Sequence, residues 1–171
     1  MKIIILILAL ALVGLVLYLK PISLPTSQVP PPASNFTPLP TQERNNLAGF
    51  GIYTNGTFRV FTNPRYHNKS EEIYIESKNP YIIHIKKEGA TWGDFFKTLP
   101  MDLKHDCLIA GTGEKFCNGA QGTLKFYINE EKVEDFLNRK IEDGDRALIT
   151  YGRETEDQIM LQMSKVINPL P

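Results

Sequence analysis

Seventeen consecutive positions, Ile3 to Leu19, are apolar or Gly/Tyr, whereas from Phe50 onward apolar residues come in short alternating or helically spaced groups. A helix over the first run is roughly 25 Å long at 1.5 Å per residue, the short end of what crosses a bilayer core. Lys2 and Lys20 bracket it, and their long stems can snorkel to the two interfaces. A cleaved signal peptide has an apolar region of about 7–15 residues followed by a small-x-small site. Here the one Ala-x-Ala, Ala9 to Ala11, lies inside the run, and Tyr18-Leu19-Lys20-Pro21 follows it. The pattern therefore predicts a single uncleaved transmembrane anchor over residues 1–20. No cysteine precedes Cys107, which excludes a lipoprotein.

Between the anchor and the patterned region, Pro21 to Asn46 holds seven of the twelve prolines. Proline fixes φ and removes a donor, so this stretch predicts an extended stalk of partly polyproline II character over residues 21–46. Residues 47–171 then read as one domain. Asn55-Gly56 within Phe50–Phe61 marks a hairpin, because a type I′ turn needs positive φ at both central positions. Glu72–Glu76 and Tyr81–Lys86 read as a second hairpin, with Ile83 and Ile85 facing one way and His84 and Lys86 the other.

Thr91 with Asp94 forms a capping-box pattern, and Trp92, Phe95, Phe96 and Leu99 make one apolar stripe that Pro100 ends. Cys107–Ala110 and Lys115–Cys117 flank Gly111-Thr112-Gly113 as a third hairpin. Leu124 to Ile128 is a strand, Val133 to Leu137 a helical turn, Asp143-Gly144-Asp145 a turn, and Arg146 to Tyr151 the last strand. Thr155 and Gln158 cap a final helix with Ile159, Met163 and Val166 on its buried face. Hairpins, a helix, then further strands argue an α+β fold with a mixed or antiparallel sheet.

Charge narrows the function. Residues 47–171 carry 16 basic and 18 acidic side chains, mixed along the chain, which is the opposite of a nucleic-acid footprint. A short N-terminal stub and the secreted-type features below place the domain outside the cytoplasm.

Gly89-Ala90-Thr91-Trp92-Gly93-Asp94-Phe95-Phe96 resembles the strand-to-helix passage of β-grasp domains. Leu124 to Asn129 followed by Ile141-Glu142-Asp143-Gly144-Asp145-Arg146 resembles their closing strands, and also the SLBB-type β-grasp domain of cobalamin carriers and cell-surface proteins. More narrowly, Phe50 to Val166 is similar to a set of uncharacterised membrane-anchored or secreted proteins of archaea and candidate-phylum bacteria. The shared features are the Asn-Gly hairpin, the helix, the two cysteines and the Tyr151-Gly152 exit into a last helix. The resemblance implies a β-grasp-like mixed sheet with a short packed helix and extra hairpins. That set often carries several histidines on the strands matching Tyr74 and Ile82 to His84. Only His84 stands there in this chain, so no metal site is carried over.

Cys107 and Cys117 are the only cysteines and sit symmetrically about Thr112. Cross-strand partners come close enough for a disulfide after modest adjustment, and an extracytoplasmic compartment permits it. Redox catalysis favours Cys-x-x-Cys at a helix start, which this pair lacks. Asp102, His105 and Asp106 lie together and are the one weak candidate metal set. No Gly-x-Ser-x-Gly, P-loop, His-Glu-x-x-His or EF-hand loop occurs. Asn35, Asn55 and Asn68 head Asn-x-Ser/Thr sequons, acceptors in a glycosylating compartment. Tyr74, Tyr81, His84 and Tyr127 are candidate binding-surface residues, since tyrosine serves interfaces well, although completing the core is an equal use for it.

The expectation is a membrane-anchored, extracytoplasmic, non-catalytic binding or adhesion module. The anchor is residues 3–19, the partner is a protein, glycan or small ligand, and no cofactor is implied. A thiol–disulfide oxidoreductase at the outer membrane face is one alternative. A structural subunit of an envelope complex, using the final helix or the anchor, is the other.

Overall fold

A computed structural model describes residues 45–169. The expected anchor, most of the stalk and the Asn35 sequon lie outside the described residues. No helix among the described residues is long and apolar enough to cross a membrane.

The first strand, β1 (Asn46–Thr54), begins at Asn46, so the stalk expected to run to that residue already gives way to sheet there. Asn55 (φ 50°) and Gly56 (φ 74°) turn the chain into β2 (Thr57–Phe58), as the Asn-Gly pair predicts. The return strand is shorter than the alternation up to Phe61 implied, and Val60 is exposed. The edge of β1 is handed over: Arg59 N donates to Ile52 O, Phe50 N to Tyr81 O, and β4 (Ile82–Ile85) pairs Asn46 to Gly49. β4 pairs in turn with β3 (Ile73–Ile75), the predicted second hairpin.

Helix α1 (Trp92–Thr98) follows with both halves of its capping box made between Thr91 and Asp94. A small antiparallel sheet comes next: β5 (Asp102–Leu103), β6 (Cys107–Ile109) and β7 (Lys115–Cys117). The chain returns to the main sheet through β8 (Thr123–Ile128) and β9 (Glu131–Lys132), makes a 3₁₀ turn at Phe136–Asn138, and finishes with β10 (Arg146–Gly152) and helix α2 (Glu156–Met163).

The result is an α+β fold with a mixed seven-stranded sheet, order β3-β4-β1-β10-β8-β9, with β2 beside β1. The first and last strands are central and parallel, from Gly49 opposite Arg146 to Thr54 opposite Tyr151. Their outer neighbours, β4 and β8, are both antiparallel to them. The Asp-Gly-Asp turn serves this pairing. Asp143 accepts from Leu47 N (2.8 Å), and Asp145 holds Asn129 Nδ2 (2.8 Å) and Glu142 N (2.9 Å).

Alternation sends the two faces of the sheet to different partners. Phe50, Ile52, Ile83, Phe126 and Ile149 face α1, the 3₁₀ turn and the small sheet. Phe50 meets Phe95 at 5.1 Å, and Phe136 stacks between Phe126 (4.9 Å) and Trp92 (5.2 Å). On the other face Tyr53, Tyr127 and Leu148 pack under Ile159, Met163 and Val166 of α2 and its following turn. The final helix therefore spends its apolar face on its own sheet. Arg146 fastens it, donating from Nη2 to Met163 O (2.8 Å) and Val166 O (3.0 Å) and from Nε to Val166 O (3.2 Å). The tail beyond lies directly on β1 at Gly49, where any Cβ would collide with Ile167 O.

Candidate functional site

Where β1 and β10 end side by side, the chain opens a cleft of about 480 Å³. The Asn55-Gly56 turn, Gln121 ahead of β8, Arg153 and Glu154 beyond β10, and one face of α2 line it. The local backbone is specific. Gly152 has a φ of 152°, and a Cβ there would strike the Glu154 carboxylate, so glycine lets Glu154 fold back over the strand end. Glu154 accepts from Gly56 N (3.1 Å) and Lys125 Nζ (3.4 Å), with only 8% of its side chain exposed. Arg153 donates to Ala120 O on the facing loop.

The helix side of the cleft carries Gln158, Leu161, Gln162 and Lys165. Gln158 is engaged in the α2 capping box, its Oε1 accepting from Thr155 N. Leu161 is an exposed apolar residue. Gln162 is 93% buried, and its Oε1 has no hydrogen-bond partner. Thr150 Oγ1, on the same face of the sheet, is likewise buried without a partner. Tyr53 closes the floor, and burial pushes its hydroxyl above the usual tyrosine range. Two cations and one carboxylate line the cleft, and Lys125 already answers that carboxylate.

The residues singled out by sequence are distributed differently. Tyr127 is a correction. It is 2% exposed beneath α2, with its hydroxyl pKa raised by burial and by Glu156, so it belongs to the core rather than to a binding surface. Tyr74 and His84 do meet, stacked at 5.2 Å and 10° on the β3–β4 edge, with Lys86 Nζ 5.9 Å from the Tyr74 ring and Glu76 4.0 Å from His84 Nε2. Tyr81 is half-buried against Phe58 and Phe61 and does not join them.

Asp102 pairs with Lys104 (3.3 Å), and no group of three or more His, Cys, Asp or Glu able to hold a metal is gathered among the described residues. Asn55 and Asn68 both sit exposed at positive φ of 50°. Cys107 and Cys117 stand directly opposite in register and are joined by a disulfide. Their hairpin docks on the main sheet through Phe116 against Tyr151 (5.4 Å) and Tyr151 OH to Cys117 O (3.2 Å).

Sequence reasoning passed over Gln121, Arg153, Glu154, Gln162 and Lys165. One signal was available: Gln162 lies three residues beyond Ile159 and next to Met163, a polar residue set into the apolar stripe of α2. No protein-family model matches this chain, and no curated protein or solved structure matches it significantly.

Proposed function

We propose that this chain is a non-catalytic binding module of β-grasp-like architecture, held outside the cytoplasm by an N-terminal membrane anchor at residues 3–19. The strand order supports the architecture. A mixed sheet with central parallel first and last strands and antiparallel flanks, and a short helix packed on it, is compatible with the mixed sheet and packed helix that the Thr91–Phe96 and Asp143–Arg146 resemblances imply. The disulfide supports an oxidising compartment.

The observation that carries the binding reading is the cleft. Concave sites with a few convergent polar groups are where ligands bind, and one residue lining this one, Gln162, carries a buried amide oxygen that the protein itself leaves unpartnered. It also lies at the opposite end of β1 from Asn46, where the polypeptide enters the sheet. Nine extended residues separate those two points by about 30 Å. A cleft so placed suits a domain presented on a stalk.

Two measurements on cells and on the full chain test this. A membrane-impermeant amine reagent should label the exposed Lys104 and Lys115 on intact cells. Labelling only after lysis overturns the extracytoplasmic placement. The full-length protein in detergent should show no free thiol and should not catalyse thiol–disulfide exchange. Turnover in that assay would replace the binding module with an oxidoreductase.

A further inference from the structure

The geometry points to an acidic sugar, a uronate-type residue of a glycan, as the ligand of the cleft beside α2; this rests on the binding-module reading above. A buried polar group without a partner is rare in a folded protein and asks for an explanation. Gln162 Oε1 is such a group, on a side chain that lines the cleft. The terminal torsion of glutamine is soft, so the amide can turn toward a group arriving there. A sugar hydroxyl meets either end of a carboxamide, because it both donates and accepts.

The rest of the lining agrees with that chemistry. Asn55 and Gln121 add two further carboxamides, each offering a donor and an acceptor. Arg153 and Lys165 supply positive charge that Glu154 does not cancel, because Lys125 is already paired with Glu154. A carboxylate on the ligand is the group that uses those cations. Exposed Leu161, with Tyr53 at the floor, gives the apolar C–H face of a sugar ring something to lie against.

A peptide ligand fits less well. Peptides that bind sheets add themselves to a free edge, and this cleft opens at strand ends, where β1 is flanked by β2 and β10, and β10 by β8. A volume of 480 Å³ lies within the range of about 300–1,000 Å³ typical of small-ligand sites and suits one or two sugar rings.

The test is calorimetric titration of the full-length chain, in a detergent that carries no sugar headgroup, with digalacturonate, lactose and acetyl-Ala-Ala-Ala bearing a free carboxylate. Digalacturonate should bind saturably, and lactose at least tenfold more weakly. Lys165→Gln and Arg153→Gln should each weaken digalacturonate by about tenfold, the order expected for losing a hydrogen bond to a charged group. Gln162→Leu should weaken it at least tenfold while leaving the melting temperature unchanged or higher, since leucine removes the unpartnered amide.

Lactose binding as tightly as digalacturonate would overturn the role of charge. Unchanged binding in both Gln162→Leu and Lys165→Gln would overturn the cleft as the site. Binding of the tripeptide alone would replace the sugar with a peptide, and no binding of any probe would overturn the acidic-sugar assignment. The binding-module reading would still stand or fall separately, on the surface-labelling and thiol-exchange results.

Discussion

Replacing Arg146 by Met tests how α2 is held on the sheet. Arg146 sits on β10, opposite Gly49, and sends three hydrogen bonds to the carbonyls of Met163 and Val166 at the end of α2. Methionine keeps most of the aliphatic stem and loses all three bonds and the charge. Two carbonyls are involved and the site is half-buried, so released carbonyls regain water and the lower end of the range for charged hydrogen bonds applies, about 1.5 kcal/mol. Loss of a cation at a helix C-terminus adds about 0.5 kcal/mol. The expected destabilisation is therefore about 2 kcal/mol, which for a domain of this size lowers the melting temperature by roughly 6–8 °C.

Urea unfolding of the full chain by circular dichroism reads the global loss. Hydrogen exchange should add a local signature, with a larger loss of protection at Met163 to Val166 than the loss that global destabilisation brings to core strands such as β8. A loss below about 0.5 kcal/mol, or exchange no faster at the end of α2, would refute the claim that this guanidinium fastens the helix.

Two further substitutions probe the other face. Phe136 is fully buried between Phe126 and Trp92, so Phe136→Ala should cost about 3–5 kcal/mol in denaturant unfolding and reduce the near-ultraviolet signal of Trp92. A cost under about 1 kcal/mol would mean that the stack contributes little. The Lys87 ammonium, donating to Asp94 Oδ2 at 3.1 Å, holds the Asp94 carboxyl below the usual range, with the Thr91 backbone bond assisting against partial burial. A depressed folded value gives stability that is full above the ordinary aspartate value of about 3.9 and is lost as pH falls through the lower folded value. Asp94→Asn should therefore flatten the stability profile below about pH 4, measured by urea midpoints. An unchanged acid slope would show that the pair is not coupled to folding.

Local signals carried far in this chain. The Asn55-Gly56 turn, the two capping boxes at Thr91 and Thr155 and the Asp-Gly-Asp turn all appear as the sequence implied, because each is closed by bonds within a few residues. The register of Cys107 opposite Cys117 follows from the hairpin alone. The shortness of β2 was not legible, because it depends on β4, some 25 residues later, taking over the edge of β1. Whether Tyr127 serves a surface or the core was not legible, because it alternates with inward-facing Phe126 and Ile128 and only the return of α2 covers that second face. The cleft was hidden for the same reason: its parts come from three strand ends and a helix that share no spacing in sequence.

The parallel pairing of β1 with β10 has a mechanical meaning. In the proposed arrangement the chain is held at the Asn46 end of β1, and a ligand is gripped at the Thr54 end. A pull between those points runs along the strands. Six registered residue pairs to β10 and four to β4 are then loaded sideways together, not peeled apart one after another. Under such tension the ligand should detach before the sheet yields, so that the bond released is the reversible one.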